Sequence, residues 1–188
     1  MTVIFLWMLL HCPKVEIAQL AGFLDIAFVL FIVAGLTDIA DGKIARKYNV
    51  TSKFGRVVDP LADKCLVCGA FICFAIIGEP KLFNFSKVTL TAIHWGVAGV
   101  IITRELFVTI LRHVCEAKGI KFPATISGKM KMFVQAFAIG TVLVKTAHVQ
   151  TAMWGYWFTA IVYALTVGIT VVSGVLSIRK AKPLEQAN

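Results

Sequence analysis

The sequence predicts an all-α, polytopic membrane helical bundle of six transmembrane helices, and three observations carry that expectation. Hydrophobic residues make up 59% of the chain and charged residues only 15%, with a mean hydropathy of +0.84, outside the balance of a soluble domain. The apolar residues are gathered in runs near the roughly 20 residues that a helix needs to cross a bilayer. The Lys and Arg residues fall unevenly between the two ends of those runs.

The runs follow one another along the chain as Met1 to Leu10, Val15 to Thr37, Val57 to Ile77, Val88 to Leu111, Phe133 to His148 and Ala152 to Ile178. The first is too short to cross about 30 Å of hydrocarbon as a helix. Met1 therefore falls inside the first span, which is expected to be truncated at its N-terminus. It also lacks the charged n-region of a signal peptide. The connections are short, with no long repeat and no low-complexity stretch, so residues 1–188 are expected to form one membrane domain. Trp154, Tyr156 and Trp157 read as an aromatic belt, and His11, His94, His113 and His148 as interfacial residues.

The net charge of +9 raises the idea of a nucleic-acid partner, but the placement of the cations argues against one. Lys14, Lys81, Lys87 and Lys145 lie at one set of span ends, and the other Lys and Arg residues lie at the opposite set or lead to it. The positive-inside rule makes the richer side cytoplasmic. Cys12, Cys65, Cys68, Cys73 and Cys115 lack a second ligand pair for a metal site and are expected to be small buried core residues.

Acidic residues number ten, yet four of them, Asp38, Asp41, Asp59 and Asp63, fall at the membrane boundary of two successive apolar helices. Carboxylates in that setting are costly. Asp38 and Asp41 are spaced i,i+3 and Asp59 and Asp63 i,i+4, so each pair shares one helix face. Two readings fit this spacing. The carboxylates converge on hard divalent cations suited to displacement at phosphorus, or each pairs with Lys43, Arg46, Lys47, Arg56 or Lys64 nearby. Gly42, Ala45 and Gly55 clear space beside them, and Arg46 is placed for bidentate contact with a phosphate. Asp25 lies about 19 Å up the helix from Asp38, too far to join the same site.

The run Asp38-Ile-Ala-Asp41-Gly42-Lys-Ile-Ala45-Arg46, followed by Gly55, Asp59 and Asp63, resembles the D-x2-D-G-x2-A-R-x8-G-x3-D-x3-D signature of CDP-alcohol phosphotransferases. That resemblance implies a six-helix membrane fold, usually homodimeric, with the signature on the second and third helices at the cytoplasmic side. It implies that Asp38, Asp41, Asp59 and Asp63 bind two divalent ions, Mg²⁺ or Mn²⁺, and that Asp63 also serves as the general base. Asp38, Gly42, Ala45, Arg46 and Gly55 would then lie against the CDP moiety.

The acceptor is addressed by a second basic group. Arg104 and Arg112 stand about 12 Å apart along one helix, and Lys129 and Lys131 open the next span. Either Arg104 and Arg112, with Lys129, bind the phosphate of the acceptor, or Arg104 pairs with Glu105 and Arg112 snorkels to the headgroups. The segments Arg104 to Arg112 and Gly128 to Gln135, together with Thr51, Phe54 and Lys64, are similar to those of bacterial phosphatidylglycerophosphate synthases, with Met132 standing where that pattern has Thr. Such enzymes also open with an Asn-rich segment, resembling N-x-P-N-x-L-T-x-x-R, that this sequence lacks.

The resemblance thus implies transfer of a phosphatidyl group from CDP-diacylglycerol to glycerol 3-phosphate in a bacterial cytoplasmic (inner) membrane, with membrane lipid and a second copy of the chain as partners. A cardiolipin synthase or phosphatidylinositol phosphate synthase would keep the aspartates and change the acceptor groups. A divalent-cation transporter would hold its ion site near the midplane, between broken helices in matching halves; the aspartates here are off-centre and no such halves are seen.

Overall fold

The computed structural model describes residues 1–11, 17–47, 55–83, 85–118 and 126–186. Within its helices, the side chains of residues 17–20, 38, 39, 41–47, 55–63, 116, 126, 127, 129 and 180–186 lie outside that description. The described residues form six α-helices and no strand: α1 (Thr2–Leu10), α2 (Ile17–Lys47), α3 (Gly55–Ile77), α4 (Lys87–Ala117), α5 (Ile126–His148) and α6 (Met153–Gln186). Each predicted apolar run lies within one of them or overlaps it almost completely.

The helices outlast the hydropathy. α2 continues from Thr37 to Lys47, α4 from Leu111 to Ala117 and α6 from Ile178 to Gln186, while α5 starts seven residues ahead of Phe133. Backbone hydrogen bonding does not require an apolar side chain, so a helix already nucleated propagates into charged sequence at little cost. All of these extensions lie at the cation-rich end, called here the inner end.

Contacts between helices alternate in direction. Early α3 meets late α4 through Lys64 and Thr109, early α5 meets late α4 through Lys131 and Glu105, and late α4 meets late α6 through Arg104 and Ser173. At the outer end, His148 of α5 donates to Asp25 of α2 over 2.8 Å, with both side chains half exposed. This contact accounts for the carboxylate that stood apart in the sequence.

Apolar packing fills the middle of the bundle. Phe5 and Leu9 of α1 are buried, and Phe5 lies 5.4 Å from the ring of Phe31 on α2. Ala27, Ala70, Ala98 and Ala138 are fully buried, which lets four helices approach closely. At Gly69 α3 comes close to α1, since an added Cβ would stand 2.7 Å from the Leu6 side chain. α3 ends at Gly78, whose positive φ of 76° and amide bond to the Phe74 carbonyl close the helix. Ser86 opens α4 by accepting from the Thr89 amide at 3.2 Å.

The exterior is apolar on every helix, with Leu36, Ile76, Ile110, Phe133 and Trp154 each more than half exposed. Segments Met130–His148 and Met153–Arg179 are long and apolar enough to cross a membrane. Shorter apolar helical segments run Ala21–Thr37 and Lys64–Ile77.

Three residue environments differ from the sequence expectation. His94 is buried, donating from Nε2 to the Pro80 carbonyl at 3.2 Å, because the turn after α3 folds back over α4. Cys73 and Cys115 are buried as expected, whereas Cys65 is exposed, and Cys12 lies outside the described residues. Trp154 and Trp157 face outward, but Tyr156 turns in, bonding to the Gln150 carbonyl at 2.8 Å and underlying the Lys145 ammonium at 4.6 Å.

The Gly69 contact gives a direct test of this packing. Gly69→Val should destabilise the bundle by about 1–3 kcal/mol through overpacking against Leu6, read as a lower unfolding midpoint in detergent, whereas Gly99→Val, with open space at its Cβ, should leave the midpoint nearly unchanged.

Candidate active site

Asp38 and Asp41 occupy successive turns of α2 near its inner end, and Asp59 and Asp63 occupy successive turns of α3 near its start. Gly42, Ala45 and Arg46 follow on α2, and Gly55 is the first residue of α3. The side chains of Asp38, Asp41, Arg46, Asp59 and Asp63 lie outside the described residues, as do those of Ala45 and Lys129; Thr51 and Phe54 lie outside altogether. Among the described residues, no group of three or more His, Cys, Asp or Glu side chains could hold a metal ion. The chemistry of the four-carboxylate set nevertheless fits hard divalent cations, since its donors are all oxygen and each pair stands one helical turn apart.

What the described side chains build is a polar layer beside the α3 end of that set. Lys64, the residue after Asp63, donates from Nζ to Thr109 Oγ1 over 2.7 Å, and the Thr109 hydroxyl donates in turn to the Glu105 carbonyl one turn earlier on α4. The α3 turn that follows the carboxylates is thereby fastened to α4.

Glu105 is the centre of the layer. Its Oε1 accepts from Arg104 Nη1 at 3.0 Å and from Lys131 Nζ on α5. The three side chains are buried, with exposures of 7% for Glu105, 10% for Arg104 and 6% for Lys131. A second hand of the Arg104 fork, Nη2, donates to Ser173 on α6 at 2.6 Å. One turn toward the outer end, the buried Gln135 of α5 donates from Nε2 to Thr170 of α6 at 3.3 Å. Arg112 is exposed, two turns beyond Arg104 on α4.

Arg104, its possible pairing with Glu105, and Lys131 as a member of the basic group are read from the sequence; Ser173, Thr170 and Thr109 are not. The signal for the α6 residues was present. Thr159, Thr166, Thr170, Ser173 and Ser177 recur at helical spacing in an otherwise apolar helix, and all five are buried. Thr159, Thr166 and Ser177 donate to carbonyls four residues back, the usual way a hydroxyl is satisfied in a membrane helix. Thr170 and Ser173 instead receive bonds from other helices.

Because two cations share one carboxylate, removing Glu105 strands two buried charges, whereas removing Lys131 leaves Arg104 and Glu105 paired. Glu105→Gln should cost about 3–5 kcal/mol, more than Lys131→Met, and combining the two should return more than about 1 kcal/mol of that loss as coupling between the two sites. Unfolding of the single and double variants in detergent measures both; additive losses would mean the contact contributes nothing.

Comparison with known proteins places this geometry in a family. The profile of the CDP-alcohol phosphatidyltransferases matches residues 1–173. The chain is 36% identical over 157 residues to a protein of Mycobacterium tuberculosis named probable phosphatidylglycerophosphate synthase, covering 83% of this chain and 66% of that relative. It is also 36% identical over 161 residues to the CDP-diacylglycerol–glycerol-3-phosphate 3-phosphatidyltransferase of Bacillus subtilis, covering 86% of this chain and 73% of the relative. A protein of the same name from Mycoplasma pneumoniae is 38% identical over 116 residues, or 62% of this chain and 45% of that one. The chain thus spans about two thirds of the length of the mycobacterial relative. With its two aspartate pairs at the inner end of an all-helical bundle and a match along nearly its whole length, this chain belongs to the CDP-alcohol phosphatidyltransferase family.

Proposed function

We propose that this protein transfers the phosphatidyl group of CDP-diacylglycerol to glycerol 3-phosphate, forming phosphatidylglycerol phosphate and CMP at the cytoplasmic face of a bacterial inner membrane. The observation that carries this reading is the Lys64–Thr109 bond. It joins the α3 turn after Asp63 to the α4 turn beside Glu105 and Arg104, which supports reading the carboxylates and the basic layer as one site. The names of the relatives from B. subtilis and M. pneumoniae point to the same pair of substrates.

In this reading Asp38, Asp41, Asp59 and Asp63 hold two divalent cations, Mg²⁺ or Mn²⁺, which when bound neutralise the donor pyrophosphate and the charge developing on CMP. Gly42, Ala45 and Gly55, with Asp38, admit the CDP moiety to the helix surface, and Arg46 pairs with its phosphates. Asp63 takes the proton from a hydroxyl of glycerol 3-phosphate. The resulting alkoxide oxygen bonds to the β-phosphorus as the bond from that phosphorus to the CMP oxygen breaks. Arg104, Arg112 and Lys129 hold the acceptor phosphate, so that positioning supplies much of the rate. Residues 1–188 act as one domain, and two copies of the chain associate as a homodimer embedded in membrane lipid.

CMP release by the purified protein with CDP-diacylglycerol and Mg²⁺ or Mn²⁺ tests the proposal. Release is expected with glycerol 3-phosphate and not with inositol phosphate, phosphatidylglycerol or serine; release only with one of the others would overturn the acceptor assignment. Asp63→Asn should lower turnover by about a thousandfold or more while CDP-diacylglycerol still binds, and loss of that binding would remove Asp63 from the role of base. Arg112→Ala should raise KM for glycerol 3-phosphate about tenfold with little change for the lipid donor.

A further inference from the structure

Arg104 is fixed before any ligand arrives. One nitrogen of its fork is held by Glu105 on the same helix and the other by Ser173 on α6. Its third nitrogen, Nε, is buried and without a hydrogen-bond partner, a condition it shares among the described residues only with His94 Nδ1 and Thr146 Oγ1. A buried donor left unpaired is costly and rare in folded proteins. The charges of the layer do not cancel either, because the Glu105 carboxylate faces both Arg104 and Lys131. The group as a whole carries net positive charge beside the carboxylate helices, and it lacks one partner.

We propose that Glu105 and Ser173 are positioning residues for the acceptor, forming a clamp that holds the Arg104 guanidinium, with Lys131 as the second cation on the same carboxylate, in the orientation that receives the acceptor's phosphate. This rests on the acceptor reading given above. A free arginine must give up many rotamers to bind a phosphate bidentately. Here that ordering is done by the fold, so it is not subtracted from the binding of the ligand. Glu105 touches neither substrate in this scheme and acts only through the cations it holds. The clamp draws on α4, α5 and α6, helices that carry none of the four aspartates, so acceptor affinity can be set separately from the binding of the nucleotide.

Steady-state CMP release by the full chain in detergent, with Mg²⁺ or Mn²⁺, CDP-diacylglycerol and glycerol 3-phosphate, provides the test. Glu105→Ala is expected to raise KM for glycerol 3-phosphate about tenfold or more and Ser173→Ala roughly threefold, each leaving KM for CDP-diacylglycerol within about twofold. Glu105→Gln, which keeps the size and an acceptor oxygen, should recover part of the loss. In an Arg104→Ala background, Ser173→Ala should have no further effect on the acceptor, since its bond has lost the donor.

An unchanged acceptor KM in Ser173→Ala overturns the clamp. So does a parallel rise of both KM values with a falling unfolding midpoint, which would mark the layer as structural alone. If Glu105→Ala does not fold, Ser173→Ala, which deletes one hydroxyl, decides the matter. Wild-type protein that releases CMP only with an acceptor lacking phosphate overturns the acceptor reading and the clamp with it; that outcome is read on the wild type and is distinct from a failure of the variants.

Discussion

Two cations buried between apolar helices need a counterion, and among the described residues a single carboxylate supplies it. Glu105 accepts from Arg104 and from Lys131 within a nearly closed space, where unpaired charge would cost several kcal/mol, on the order of the penalty for a buried ion. The other polar contacts are arranged around this one. Ser173 takes the second arm of the guanidinium, and Thr109 ties the Glu105 backbone to Lys64 on the neighbouring helix. With the carboxylate removed, the same side chains would repel one another in a medium that screens poorly.

Around this layer, association between helices depends on fit. In lipid, burying an apolar side chain against another helix gains little over burying it against acyl chains, so close approach must provide the attraction. The fully buried alanines of α2, α3, α4 and α5 provide it, as do Gly69 under Leu6 and Gly140, where an added Cβ would stand 3.1 Å from the Phe28 ring. Large apolar side chains serve both sides, with Phe5, Phe71 and Ile139 filling the interior and Phe133 and Trp154 facing outward.

The legible part of the fold was the part that hydropathy encodes. Run length and cation placement gave six helices and the end at which the aspartates gather. Hydropathy did not give the charged continuations of α2, α4 and α6, because propagation of a helix depends on backbone bonding and a transfer scale stops at the first charges. The candidate site divided in the same manner. Fixed spacing marked Asp38, Asp41, Asp59 and Asp63, while Ser173 is joined to Arg104 and Lys131 to Glu105 through space from different helices, and no local pattern states which hydroxyl on α6 meets which cation. His94 was misplaced for a related reason: its partner is the carbonyl of Pro80, on a turn whose path over α4 is a tertiary matter.

Apolar contacts in a bilayer have little directionality, so two smooth helices can slide along one another with small change in energy. The hydrogen bonds from Lys131 to Glu105 and from Arg104 to Ser173 do not allow this. A displacement of one residue, about 1.5 Å along the axis, takes either pair out of bonding range. The polar layer therefore sets the axial register of α5 and α6 against α4, as a single buried polar residue does in a coiled coil. Lys64 extends the same constraint to α3, so the height at which one aspartate pair stands in the membrane is fixed by residues that are not aspartates.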